Sequence, residues 1–237
     1  MVDKPGRRRK STTNWVKWTA VFVAAIVIGA TGWYVYSTYL VAKPAPEYAA
    51  IDTSLGVIDV ELYPACAPKT VANFVKLADS GFYDDLVWWR IDPGFVIQTG
   101  DPDTRGGAND TRQFWGKGGS NTTVPLEVTG CSWIGNYVGY LGMAREGNDT
   151  TGQDTGTSQF FINLTNSSYA DLDGYYTAFG KVISGMSVVC DIASVPIYTS
   201  TSSRYYDQPK TAVFMYNVTM ISAAQAPTPV PIKGCKS

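Results

Sequence analysis

The 237-residue chain is close to neutral, with 19 Lys and Arg against 20 Asp and Glu, and it contains no histidine. That composition excludes Ser-His-Asp and Cys-His catalysis, His-ligated zinc and a histidine pH switch. Its charge is unevenly divided, six Lys/Arg and one Asp up to Lys17 and then 13 cations against 19 anions from residue 42 onward, so the larger part is acidic and has no basic stripe for nucleic acid.

Residues 1–17 form a basic N-terminus carrying Lys4, Arg7, Arg8, Arg9, Lys10 and Lys17. Residues 18–42 follow as an uncharged, mostly apolar run, long enough to cross a bilayer with some tilt. The positive-inside rule keeps the N-terminus cytoplasmic and everything after the span extracytoplasmic. Trp15 and Trp18 on one side, and Trp33, Tyr34, Tyr36 and Tyr39 on the other, resemble two interfacial belts. A cleaved secretory signal is the rival reading, but the long span and bulky aromatics favour a retained anchor. Residues 43–48 are a stiff Pro-containing linker.

From residue 49 to 222 the pattern is that of one domain. Alternating residues over 51–53 and 56–62 predict a β-hairpin turning at Ser54-Leu55-Gly56. Pro68 starts a helix that places Val71, Phe74, Val75 and Ala78 on one stripe and ends at Gly81. Strands are expected over 86–91 and 95–98, then a long surface loop over 101–121 rich in Gly, Asp, Asn and Thr. Further strands are expected over 137–143, 159–163 and 176–182, a short helix over 186–193, a polar loop over 200–207 and a last strand over 212–220. Residues 223–237 read as a Pro-containing tail without a core pattern. Many short strands with two helices predict a mainly β fold, a small closed or nearly closed barrel with helices capping its ends.

Cys66, Cys131, Cys190 and Cys235 lack CxxC spacing; they allow two disulfides in any of three connectivities, and four unpaired thiols fit as well. Six N-x-[ST] sequons occur, of which Asn163 and Asn217 fall in or beside predicted strands and are poor acceptors.

Two segments carry the chemistry. In residues 87–102 a lone cation, Arg90, sits among Trp88, Trp89, Phe95 and Gln98; in residues 156–164, Gln159 precedes Phe160 and Phe161. A buried guanidinium beside an apolar pocket is expensive to build and points to a site. Trp88-Trp89-Arg90-Ile91 with Phe95-Val96-Ile97-Gln98-Thr99-Gly100-Asp101 resembles the F-H-R-V-x-x-x-F-M-x-Q-G-G-D stretch of cyclophilin-type peptidyl-prolyl isomerases. The resemblance continues through Ala67-Pro68-Lys69-Thr70-Val71-Ala72-Asn73-Phe74, Gly139-Tyr140-Leu141-Gly142-Met143-Ala144, an intact Ser-Gln-Phe-Phe-Ile at 158–162, and Leu172-Asp173-Gly174 with Phe179-Gly180-Lys181-Val182. The Met143-Ala144-Arg145 wording and residues 174–180 look like the prokaryotic branch.

The resemblance implies a cyclophilin-like barrel behind an N-terminal transmembrane helix, needing no cofactor and no metal, acting on proline-containing polypeptides. It implies that Arg90 is the electrostatic catalyst, that Gln98 bonds the substrate backbone and orients Arg90, and that Gln159 supports Gln98. Phe95, Val96, Phe161 and Leu172 would form the proline pocket, Tyr176 would close it, and Ala144 and Arg145 would line the groove and offer backbone groups. An ion pair with a neighbour such as Asp92 is the competing structural role for Arg90. The chain departs from the family at Trp89 and Tyr176, which stand where histidines are usual, and at Asp171, which replaces a bulky aromatic. The Gly-Thr-Gly-Gly segment after the Gly-Asp is absent, with residues 105–119 in its place. The expected activity is X–Pro isomerisation assisting exported or membrane proteins; the alternative is a catalytically weak peptide-binding or structural module of a membrane assembly. A hydrolase using the Asp and Ser residues lacks any suitably spaced base.

Overall fold

In the computed structural model the described residues are 28, 29, 31, 44–128, 130–147, 154–166 and 172–235. Among them no helix is long and apolar enough to cross a membrane. The expected span, 18–42, lies outside the described residues apart from Ile28, Gly29 and Thr31, as do the basic N-terminus and Asp171.

Among the described residues nine strands form one sheet: β1 (Glu47–Thr53), β2 (Gly56–Leu62), β3 (Leu86–Val87), β4 (Arg90–Asp92), β5 (Val96–Thr99), β6 (Tyr140–Met143), β7 (Phe160–Asn163), β8 (Ala178–Ser184) and β9 (Phe214–Ile221). Their order is β3-β9-β1-β2-β8-β6-β7-β5-β4, with every pairing antiparallel. The expected closed or nearly closed barrel takes the form of a single curled sheet. Its edge strands β3 and β4 share no ladder and are joined only by the chain through Trp88 and Trp89. Across that break the run stays bonded on both flanks: the Trp88 N–H donates to Val213 O, just before β9, and the Val87 carbonyl accepts the hydroxyl of Thr99 in β5.

Helix α1 (Pro68–Asp79) buries Thr70, Val71, Asn73, Phe74, Leu77 and Ala78, the stripe that 3.6-residue periodicity requires. Its N-cap residue is Ala67, which has no side-chain acceptor. Glu127, 57 residues along the chain, substitutes by accepting from Thr70 N (2.9 Å), Thr70 Oγ1 (2.9 Å) and Lys69 N (3.1 Å). Phe74 packs against Phe160, Phe179 and Tyr83 at centroid distances of 5.4, 5.5 and 5.3 Å, filling the inside of the curl. Helix α2 (Met186–Ala193) packs Val189 and Ile192 on the same core.

Two expectations need correction. The loop over 101–121 contains 3-10 segments at Pro102–Gly107 and Arg112–Phe114 and buries Asp101, Thr104, Arg112 and Trp115, because its polar groups bond back to the body. The tail is also not loose: Cys235 pairs with Cys190, Ile232 packs on the core, and Val230 N–H donates to Ile183 O. Cys66 pairs with Cys131, so no described cysteine is free. Asn163 is fully buried with its amide donating to Tyr140 O, in keeping with its exclusion as an acceptor of glycan.

Candidate active site

Strand alternation decides which side the site is on. Ile91, Ile97, Phe160 and Ile162 point into the packed core, while Val96 and Phe161 join a separate small cluster with Leu172, Phe95, Ala144 and Tyr176. With the inside filled, any cleft must lie on the outer face of β4, β5, β6 and β7. A cavity of about 170 Å³ is found there, lined by Arg90, Phe95, Val96, Gln98, Ala144, Arg145, Phe161, Leu172 and Tyr176. These are nine of the ten residues expected from the sequence. The tenth, Gln159, lines an adjoining cavity of about 280 Å³ that shares Gln98, Ala144 and Arg145 and adds Gly116, Lys117 and Gly118.

Glycine makes room for the pocket. Gly142 is the register partner of Phe161, and a Cβ there would lie 2.2 Å from Phe161 Cζ, so only a bare backbone lets the ring lie over β6. Tyr176 meets Phe161 edge-on at 5.7 Å, and Arg145 lies over the Tyr176 ring at 5.1 Å. Asn136, fully buried, donates from Nδ2 to both Leu172 O (3.2 Å) and Tyr176 O (3.0 Å), stapling the turn that carries two walls of the pocket. The Ala144 N–H, a backbone group expected to face substrate, is already engaged, donating to Gln159 O, and the Tyr176 hydroxyl donates to Gly147 O.

Arg90 is half-buried rather than buried, with a side chain 30% exposed. Its Nη2 pairs with Asp92 Oδ2 at 2.9 Å, its Nε lies 3.8 Å from Asp207 Oδ2, and its guanidinium carbon is 5.6 Å from the Phe95 ring centre. The ion pair with Asp92 therefore coexists with a place on the cavity wall. Burial pushes the Asp207 carboxyl above its usual range, the Asp92 charge adds to the push, and Arg90 opposes it.

Gln98 does not hydrogen-bond Arg90, although the two are register partners across β4 and β5. Its Nε2 donates instead to Gln159 Oε1 at 2.9 Å, and the same oxygen accepts from Trp89 Nε1 at 3.1 Å. Gln159 Nε2 donates to Gly118 O (2.7 Å) and Gly116 O (3.2 Å). Because indole N–H only donates and carbonyls only accept, this network fixes both amides and leaves the Gln98 oxygen for the cleft. Trp89 fits because Gly116, at φ +92°, has no Cβ to collide with the indole. Asp101, fully buried, braces that loop by accepting from Gly116 N and from Asp103 N at 2.8 Å. Asp207, Asn136 and the bond from Trp89 escaped sequence reasoning, since each acts on residues far away in the chain or through a direction that spacing does not encode.

With no histidine in the chain and, among the described residues, no acidic or thiol cluster able to hold a metal, the cleft offers a cation, apolar walls and amide groups. Residues 48–220 match the family model "Cyclophilin type peptidyl-prolyl cis-trans isomerase/CLD". A peptidyl-prolyl cis-trans isomerase of Acinetobacter baylyi is 34% identical over 197 residues, covering 82% of this chain and 93% of that protein. The peptidyl-prolyl cis-trans isomerase-like 1 of Aspergillus oryzae is 41% identical over 140 residues, 59% of this chain and 78% of its own length. The crystal structure of a cyclophilin type isomerase from Cryptosporidium parvum superposes with a TM-score of 0.63 at 26% identity, covering 75% of this chain and 99% of that one. A second structure of that protein, determined in the presence of the dipeptide Ala-Pro, gives a TM-score of 0.61. The chain belongs to the cyclophilin-type peptidyl-prolyl cis-trans isomerases.

Proposed function

We propose that this isomerase is anchored by residues 18–42, faces away from the cytoplasm, and accelerates X–Pro rotation in exported or membrane proteins. The divided charge and the apolar run support that placement; the Met143-Ala144-Arg145 wording supports the prokaryotic-like branch. The domain doing this work runs over 49–222.

Amide resonance sets a rotation barrier of about 18–20 kcal/mol, so uncatalysed exchange takes tens of seconds or longer. Rotation needs no nucleophile; it needs the resonance weakened. A proline ring seated among Phe95, Val96, Phe161, Leu172 and Tyr176 would bring its nitrogen toward Arg90. As the bond twists, that nitrogen pyramidalises and its lone pair becomes able to accept a guanidinium proton, an interaction the planar ground state cannot make. The apolar walls strip water from the carbonyl and favour the less polar twisted form, while the Gln98 oxygen accepts a backbone N–H of the peptide and holds one side still. Gln159 supports Gln98, and Ala144 and Arg145 line the way in.

The observation that carries this reading is the Arg90 guanidinium on the wall of a ring-lined cavity. Arg90→Ala should lose about 10- to 150-fold in kcat/KM for a proline peptide, the worth of a charge-assisted hydrogen bond of about 1.5–3 kcal/mol made only in the twisted state. Unchanged activity would reject the assignment. One observation favours a second reading, a weak catalyst kept for peptide binding: two carboxylates face the single catalytic cation. Peptide affinity with negligible turnover would support it.

A further inference from the structure

Asp207 comes from a part of the chain with no motif, yet the surrounding loop is built to aim it. Its side chain is 10% exposed, with Oδ2 3.8 Å from Arg90 Nε. Its backbone takes φ +63°, a left-handed conformation that is costly for a residue with a Cβ. Its carbonyl accepts Ile91 N–H at 2.7 Å, tying it to β4, and its own N–H donates to Tyr198 O at 3.0 Å. The next two residues are held from below by a buried cation: Arg112 Nη1 donates to Pro209 O at 2.7 Å, and Gln208 Nε2 donates to Arg112 O at 3.2 Å. Left-handed backbone, a buried arginine and a strand contact thus converge on one carboxylate beside Arg90.

We propose that Asp207 is a positioning residue of the isomerase: together with Asp92 it holds the Nε and Nη2 groups of Arg90 and so turns the remaining guanidinium N–H groups toward the proline cavity. A guanidinium has five N–H donors in a rigid plane, so a hydrogen bond at Nη2 (2.9 Å) together with a carboxylate drawing Nε from 3.8 Å biases where the others point. The inference rests on Arg90 being the electrostatic catalyst. Without Asp207, Arg90 keeps one partner and swings about it. A displacement of order 1 Å at a reacting group can cost as much as ~100-fold in rate.

The test is Asp207→Asn in the full chain, because Asn tolerates the left-handed backbone and the loop keeps its shape. In a proline-peptide exchange assay kcat should fall about tenfold while KM stays within about twofold, since no pocket wall is touched. The groups facing Asp207 are Arg90 and Asp92 from β4 and Tyr206 from its own loop. In the wild type, acidification that protonates Asp207 should lower kcat; the Asn variant should lack that limb and sit at the low value throughout. The ¹⁵Nε–H resonance of Arg90 should shift in the variant, with the unfolding temperature nearly unchanged. Wild-type kcat, pH profile and Arg90 resonance in the Asn variant would overturn the proposal even if Arg90→Ala is inactive. Should Arg90→Ala match the wild type, the reading of Arg90 falls and this inference with it.

Discussion

The two disulfides are predicted to do different work, and removing them one at a time separates stability from activity. Cys190–Cys235 closes a loop of sequence separation 45 and fastens the tail to α2, and neither cysteine lines the cavity that holds Arg90. Loop-closure entropy for that separation amounts to about 4 kcal/mol, and measured values more often fall at about 2–4 kcal/mol. Part of the tail's hold is independent of the bond: Ile232 packs on the core and Val230 N–H donates to Ile183 O. For a domain of this size each kcal/mol shifts the unfolding temperature by roughly 2–4 °C. The double variant Cys190→Ala with Cys235→Ala should therefore unfold roughly 4–16 °C lower while keeping kcat/KM. Cys66–Cys131, of sequence separation 65, ties the start of α1 to the segment carrying Asn136. Its removal should cost similar stability and also raise KM, because the turn bearing Leu172 and Tyr176 loses its brace. Both effects are read by thermal unfolding with and without reductant, and by isomerisation kinetics well below the transition. If the Cys190/Cys235 variant unfolds at the wild-type temperature, or loses activity in step with stability, the division of labour argued here is wrong.

Asn136→Ala takes the side-chain donor from Tyr176 O and one of three donors from Leu172 O, which keeps the Tyr175 and Tyr176 N–H groups; KM should rise about 5- to 10-fold with kcat within about twofold and stability down by about 1–3 kcal/mol, checked by steady-state kinetics and denaturant unfolding. Glu127→Ala removes the acceptor that caps α1, and should cost about 1–2 kcal/mol in denaturant unfolding while leaving kcat/KM within about twofold.

The legibility of the site follows from strand periodicity. In the Ser-Gln-Phe-Phe-Ile run, successive side chains alternate, so the sequence separates Phe160 in the core from Phe161 in the cleft once a strand is assumed. The same rule puts Arg90 opposite in direction to Ile91, and Val96 opposite to Ile97. Helix α2 is also legible: its expected bounds, 186–193, match Met186–Ala193, because a positive-φ glycine at 185 starts it and an apolar stripe fills it. The orientation expected for Arg90 was not legible. Sequence assigned that task to Gln98, its partner across the ladder, whereas Gln98 Nε2 is drawn to Gln159 and the carboxylates of Asp92 and Asp207 hold the cation.

The sequence by itself determined which segments alternate, where the helices begin, and which few polar residues sit among aromatics, because these are properties of neighbours one to four positions apart. Only the tertiary structure decided which of three disulfide pairings holds, that Glu127 caps a helix 57 residues away, that Asn136 braces the pocket turn, and that Asp207 reaches Arg90 across more than a hundred residues. Those are choices between partners that composition makes equally available, and the curling of one sheet selects among them by bringing distant loops within a few ångströms.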